Sequence, residues 1–216
     1  MRISVLGSGI VGRTLAARLV ELRHRVVIGS RDPGQPHISR WVRAAGELAR
    51  AGTYAEAARS ASIVVNATAG TATVDALRAA GEAELAGKVL IDVANPVSDP
   101  AADPPLLRTG ERSLGEEIQA LFPHTRVVKA LNTVSPSVMV NPKRVPGGHV
   151  AFLAGDSRQA KTMVTGLLRE FGWPADAIVD LGDITGARSM EMLFPLRQRL
   201  SRSLGHTNFN LGVLHA

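Results

Sequence analysis

The stretch from Arg2 to Arg31, RISVLGSGIVGRTLAARLVELRHRVVIGSR, decides the fold. Ile3 to Leu6 is an apolar run of strand length. Gly7-Ser8-Gly9-Ile10-Val11-Gly12 follows at once and opens an amphipathic helix, and Val26 to Ile28 supplies a second apolar strand. A G-x-G-x-x-G turn carries meaning in this setting, straight after a strand and at the start of a helix. Gly7 permits the tight turn, Gly9 leaves the backbone open to a pyrophosphate, and Gly12 lets the helix close on the strand. Free N–H groups and the dipole at the helix N-terminus favour phosphate there. Gly7, Ser8, Gly9, Ile10, Val11 and Gly12 are therefore expected to hold a dinucleotide. The competing reading is a glycine turn with no ligand.

The end of the second strand chooses between dinucleotides. An Asp or Glu there would hold the ribose 2′-OH of NAD, whereas an Arg accommodates the 2′-phosphate of NADP. The strand ends Gly29-Ser30-Arg31. Ser30 can donate to a 2′-phosphate, and Arg31 can pair with it and stack on the adenine. Asp32 comes one position late. NADP(H) is the expected cofactor, with NAD through Asp32 as the alternative.

Working outward, the chain alternates between strand and helix patterns. Ser39 to Ala51 reads as a helix with Trp41, Val42, Ala45 and Leu48 on one face, and Thr53 to Arg59 as a short helix. Ser62 to Asn66 is a buried strand whose end, Asn66 to Gly70, brings Ala67 and Thr68 to the dinucleotide, because ligands bind beyond the carboxyl ends of such strands. Thr73 to Ala80 is the crossover helix. Lys88 to Val93 ends in Ala94-Asn95-Pro96-Val97, where Asn95 offers a donor and an acceptor to a nicotinamide or ribose and Pro96 fixes the turn. Ser98 to Gly110 reads as a surface loop. Ser113 to Leu121 is a helix with a capping box, Ser113 with Glu116. Arg126 to Leu131 is the next strand, ending in Asn132-Thr133. This alternation predicts an α/β fold, a Rossmann doubly wound parallel sheet, over residues 1–134. Residues 135–216 predict a smaller C-terminal α/β lobe: a mostly loop stretch over Ser135 to Gly148, a strand over His149 to Ala154, and a helix over Ser157 to Phe171 with Ala160, Met163, Val164, Leu167 and Leu168 inward. A short strand (Ala177 to Asp180) and a long helix (Ala187 to Leu204) follow.

Composition removes several function classes. There is no cysteine, which excludes disulfides and thiol catalysis. The six histidines have no metal-ligand spacing, so no metal is expected. The net charge of +6 is spread along the chain without a basic run, and aromatic content is 4%, which speaks against nucleic acid and for small anionic cofactors. No apolar run reaches transmembrane length and the chain begins directly on a strand, so the expectation is a cytoplasmic protein without a membrane partner.

These residues resemble the F420-dependent NADP oxidoreductases, which move hydride between NADPH and the deazaflavin coenzyme F420. The resemblance runs over essentially the whole chain. It is carried by Gly7 to Gly12, Gly29-Ser30-Arg31, Asp92-Val93-Ala94-Asn95-Pro96, Val128-Lys129-Ala130-Leu131-Asn132-Thr133, Gly155-Asp156, Gly172-Trp173, Asp180-Leu181-Gly182 and Ser189-Met190-Glu191. It implies a Rossmann domain and a C-terminal lobe with the hydride acceptor between them, Ser30 and Arg31 on the 2′-phosphate, and Thr68 and Asn95 near the nicotinamide. The family pattern has a histidine where this chain has Asn132, and a further basic residue after the Ser-Arg pair that this chain lacks in Asp32-Pro33-Gly34-Gln35. The wider family includes ferric reductase domains joined to membrane helices.

Hydride transfer between two rings needs reacting carbons held about 3–3.5 Å apart and no side-chain nucleophile. The expected acceptor site is Asn132, Thr133 and Ser135 with the Ser135-Pro136 loop, bounded by Thr68 and Asn95 and closed by the stretch from His206 to Leu211. Arg197, Arg199 and Arg202 are expected either to attract the anionic tail of F420 or to be solvated helix-end charges. A carbonyl or imine reductase would need a proton donor instead. Lys129 is the positional candidate, with a strand-capping lysine as the alternative, and Glu191 reads as structural or interfacial. A reductase of another small acceptor and a non-catalytic NADP-binding module remain open as functions. Met190, Met192, Leu193, Phe194, Leu196 and Leu200 are more apolar surface than one core-facing stripe uses, which predicts a homodimer.

Overall fold

The structure, a computed structural model, describes residues 1–99, 106–107 and 112–214. The surface loop expected over 98–110 therefore lies largely outside the described residues. The strands in chain order are β1 (Arg2–Leu6), β2 (Arg25–Gly29), β3 (Ala49–Gly52), β4 (Ile63–Asn66), β5 (Val89–Asp92), β6 (Val97–Asp99), β7 (Leu106–Leu107), β8 (Arg126–Ala130), β9 (Ala151–Ala154) and β10 (Ile178–Asp180). The helices are α1 (Ile10–Glu21), α2 (Pro36–Ala45), α3 (Tyr54–Ser60), α4 (Thr73–Ala80), α5 (Glu82–Leu85), α6 (Leu114–Leu121), α7 (Pro136–Met139), α8 (Arg158–Phe171) and α9 (Ala187–Leu204).

Eight strands form one sheet in the order β10-β9-β8-β5-β4-β1-β2-β3, while β6 and β7 make a separate antiparallel ribbon. The run β3-β2-β1-β4-β5-β8 is parallel throughout and reverses direction beside β1, the switch point at which Rossmann sheets bind dinucleotides. The segment after residue 134 extends this same sheet: β9 joins β8 antiparallel, and β10 joins β9 parallel.

Strand side chains alternate between two cores. Ile3, Val5, Ile28, Ile63, Val65, Ile91 and Val128 face one, with Leu15 and Leu19 of α1, Ile38 of α2, Val138 of α7 and Leu167 of α8. Leu6, Val64, Leu90 and Val127 face the other, with Ala57 of α3, Leu77 of α4, Ile118 of α6 and Ala187 of α9. A parallel sheet buried on both faces requires nearly continuous apolar strands, and these have them.

Three local readings need correction. The helix expected over Ser39 to Ala51 stops at Ala45; Gly46 takes a left-handed φ of 76°, and Ala49–Gly52 becomes edge strand β3. The apolar spacing of Trp41, Val42, Ala45 and Leu48 runs across that break and hides it. Pro136–Met139 is a turn of helix rather than loop. Met163 lies at the rim of α8, 37% exposed, instead of inward. The Ser113–Glu116 capping box is present with both hydrogen bonds.

Candidate active site

The register aligns one polar rung at the carboxyl ends of the strands. Leu6 stands beside Asn66, Asn66 beside Asp92, and Asp92 beside Lys129. Alternation turns Asn66, Asp92 and Lys129 to the same face as Val64, Leu90 and Val127, and all three are fully buried. They form a continuous network. Thr68 Oγ1 donates to Asn66 Oδ1 at 2.7 Å, Asn66 Nδ2 donates to Asp92 Oδ1 at 2.7 Å, and Lys129 Nζ lies 2.8 Å from both Asp92 Oδ2 and Glu191 Oε1. Glu191 then accepts from the backbone N–H groups of Leu114 and Gly115 at the start of α6. Lys129 also donates to the carbonyl of Ala94. Burial would push the Lys129 ammonium down, but the Asp92 and Glu191 carboxylates outweigh it and hold the group above its ordinary value. Lys129 is therefore a buried cation held between two carboxylates, and its bond to the Ala94 carbonyl ties it to the Ala94-Asn95 loop.

Arg188 strengthens the same junction. Its Nε and Nη2 reach the two Glu116 oxygens at 2.6 Å each, and this pairing, with the Ser113 contacts, holds the Glu116 carboxyl at about 2. A carboxylate depressed on folding stabilises above its unfolded value and loses that contribution as pH falls through its folded one. The stability that Glu116 adds should thus disappear between roughly pH 4.5 and pH 2. Urea midpoints across that window should fall more steeply for the wild type than for Glu116→Gln; parallel curves would rule out this linkage.

At the phosphate loop, no side chain caps α1, whose N-cap is Gly9, and a Cβ built on Gly9 meets no atom within 4 Å. The first-turn N–H groups and the space above them are open to a pyrophosphate, so this loop fits a dinucleotide. Ser8 Oγ lies 3.2 Å from Nε2 of His37 on α2, a neighbour that sequence reasoning missed. At the end of β2, Ser30 is buried and Arg31 exposed. Asp32 accepts from Gly34 N–H at 3.0 Å through Oδ1, which ties one of its carboxylate oxygens to the turn.

A cleft of about 280 Å³ opens over the switch point. Val11, Ala67, Thr68, Asn95 and Phe194 line it, with Ala69 to Thr71, Val93, Ala94 and Val97. No described lining residue has a titratable side chain. Phe194 was not legible as a site residue, because only the docking of α9 brings it there. A larger hollow of about 810 Å³ lies at the amino ends of β1, β2 and β3, among Arg2, Arg25 and Arg50. It is remote from the strand ends where this architecture does its chemistry.

The expected acceptor residues have other partners. Leu131 takes a left-handed φ of 61°, an uncommon conformation for a bulky residue, and so re-aims the chain as it leaves β8. Asn132 is thereby buried, donating to Asn95 Oδ1 at 2.9 Å and to the Met190 carbonyl at 3.1 Å, while Asn95 Nδ2 donates back to the Asn132 carbonyl. It positions Asn95 from behind the cleft wall. Thr133 and Ser135 are buried too, Ser135 with Oγ 3.3 Å from that of Ser137. Pro96 is buried beside Asn95. The stretch from His206 to Leu211 bonds to Ser137 and Val150, through Asn208 Oδ1, Asn210 Nδ2 and the Leu211 carbonyl.

Phosphates at the start of the first helix and a ring laid over the strand ends are the geometry of the Rossmann-type nicotinamide-dinucleotide oxidoreductases. Residues 2–96 match the family described as NADP oxidoreductase, coenzyme F420-dependent. The crystal structure of a candidate F420-dependent NADP reductase from Arthrobacter sp. FB24 is 44% identical, with all of each chain covered and a TM-score of 0.93. The chain therefore belongs to the F420-dependent NADP oxidoreductase family, and it is an NADP-dependent oxidoreductase. Metalloreductase STEAP3 of Rattus norvegicus is 32% identical over 91% of this chain, and metalloreductase STEAP2 of Homo sapiens 27% over 90%. In each case the chain spans 36% of the relative's length. A reductive aminase from Aspergillus terreus, 17% identical over 94% of this chain and 62% of its own with a TM-score of 0.66, shares the fold. No helix among the described residues is long and apolar enough to cross a membrane.

Proposed function

We propose that this protein transfers hydride between NADP(H) and the deazaflavin coenzyme F420. The observation that carries the reading is the neutral lining of the cleft. Reduction of a carbonyl or imine calls for a proton donor beside the accepting atom. Here the lining offers Thr68 and Asn95, whose polar groups are already engaged with Asn66 and Asn132, and the nearby ammonium of Lys129 is locked. A flat ring whose accepting carbon needs only hydride, and whose ring nitrogen takes its proton from water, suits such walls. In this reading residues 1–134 bind NADP(H) through Gly7 to Gly12, Ser30, Arg31, Ala67, Thr68, Asn95 and Pro96. Residues 135–216 complete the acceptor cleft through Phe194. Bound NADPH would supply the hydride; the protein supplies orientation and leaves the ring nitrogen open to a proton from water. The test is the absorbance change on mixing purified protein, NADPH and F420. Tight NADPH binding without any turnover would turn the assignment toward another small acceptor.

The 2′-phosphate role has its own measurement. Arg31→Ala should weaken NADPH binding by about 1.5–3 kcal/mol, roughly 10- to 150-fold, and leave NADH binding unchanged. Equal losses for both nucleotides would refute it.

A homodimer formed through α9 belongs to the same proposal. Met190 is core, but Met192 is 73% and Leu196 50% exposed on one protomer. Light scattering at micromolar concentration should give twice the chain mass; a monomer would count against the dimer.

A further inference from the structure

We propose that Arg197 recognises an anionic group of the hydride acceptor, so that acceptors bearing a phosphate or carboxylate tail are preferred over the bare ring. The inference rests on the F420 reading and names what that site selects. Arg197 follows Phe194 by three residues on α9, which puts the two on one face of the helix a turn apart. Phe194 lines the cleft, and Arg197 lies one turn further along the same helix face, outside the lining itself.

The surroundings of Arg197 are unusual for a cation. Its Cζ lies 5.9 Å from the ring centroid of Phe209, which holds the guanidinium by cation–π attraction. Its Nε is buried without a hydrogen-bond partner. Among the described residues no carboxylate pairs with it, whereas Lys161 and Arg188 each have one and Lys129 has two. Burial pulls the group below its ordinary value, with no neighbouring charge to offset the effect. A buried donor left unmet is destabilising, and an incoming anion would satisfy it. The planar guanidinium fork matches phosphate and carboxylate oxygens. The described lining of the cleft is neutral, so selection for a charged tail has to come from outside it, and Arg197 is the cation of α9 with a buried donor unmet. Phe209 and the adjacent His206, whose ring centroid is 6.5 Å from that of Phe209, belong to the C-terminal stretch expected to close the acceptor site. Their part is to hold Arg197 in place.

The experiment is steady-state kinetics with NADPH and two acceptors. One is F420; the other is the same deazaflavin ring ending in its ribityl alcohol, without phosphate or glutamate. Arg197→Gln should raise KM for F420 roughly 10- to 150-fold, the loss expected of a charge-assisted contact, with kcat little changed. KM for the truncated acceptor and Kd for NADPH should stay as in the wild type, and Arg197→Lys should recover part of the loss. Wild-type KM for F420 should also rise with salt, and that for the truncated acceptor should not. Equal effects on both acceptors would assign Arg197 to holding the helix against Phe209 and overturn the proposal, as would an unchanged KM for F420. If the wild type turns over neither ring, the deazaflavin reading has failed and this inference falls with it. If it turns over both while Arg197→Gln is indifferent, only the role of Arg197 is lost.

Discussion

Lys129→Met should destabilise the fold by about 3–5 kcal/mol, the loss seen when one partner of a buried ion pair is removed. Methionine keeps the stem's volume, so the deficit measures charge rather than packing. Without the ammonium, Asp92 and Glu191 face each other across a buried space, and the Ala94 carbonyl loses its donor. For a chain of this size each kcal/mol moves the melting temperature by about 2–4 °C, so a fall of roughly 6–20 °C is expected. Charge-neutralising all three positions together, Asp92→Asn, Lys129→Met and Glu191→Gln, should restore part of that loss, because the cost lies in an uncompensated charge. Thermal melts of the single and triple variants make the comparison. A Lys129→Met protein melting within a degree or two of the wild type would mean that the three groups do not act as one unit. The consequence for function follows from geometry: the triad joins β5, β8 and α9, so weakening it loosens Phe194 against the loop that carries Asn95.

The triad also shows where sequence reading stops. Lysine one residue before a strand end looks like a capping cation, and nothing local distinguishes it from one. Its partners lie on a neighbouring strand and on the last helix, so only the register and the docking of α9 reveal three charges sharing one buried site. The partners of Asn132 were hidden for a similar reason. Its position after β8 is legible, but the left-handed turn at Leu131 that swings its side chain inward is not. Strand β3 was lost to a helical spacing that ran past its true stop. What was legible depends on local pattern: the glycine loop between β1 and α1, the apolar runs of β4, β5 and β8, the Ser113–Glu116 cap, and Ser30-Arg31 at a strand end. Each of these follows from residues adjacent or a few places apart. The cleft wall made by Phe194 and the antiparallel entry of β9 depend on residues far apart in the chain, and short-range spacing carries no trace of them.

Gly12→Ala and Gly9→Val should fail in different ways, although both lie in one loop. A Cβ on Gly12 would sit 2.0 Å from the Gly7 carbonyl oxygen, which is backbone and cannot rotate aside. Gly7 itself is held at φ 111° with its own Cβ position 2.6 Å from the Ala67 carbonyl oxygen, so the loop has nowhere to retreat. The N-terminal turn of α1 must move off the strand ends, at a cost on the order of 1–3 kcal/mol or more for overpacking, and the phosphate site goes with it. Gly12→Ala should therefore melt several degrees lower without nucleotide and bind NADPH poorly. Gly9 meets nothing within 4 Å and has extended backbone, with φ −69° and ψ −174°, that any residue adopts. Its valine side chain strains no part of the free protein and occupies only the space assigned to the pyrophosphate. Gly9→Val should melt like the wild type without nucleotide and lose NADPH and NADH binding alike, since both carry that group. A Gly9→Val protein that still binds NADPH would remove the phosphates from this loop, and a Gly12→Ala protein as stable as the wild type would show that α1 can pivot without breaking its seat. With both outcomes as expected, the loop separates into one glycine that seats the helix and one that admits the ligand.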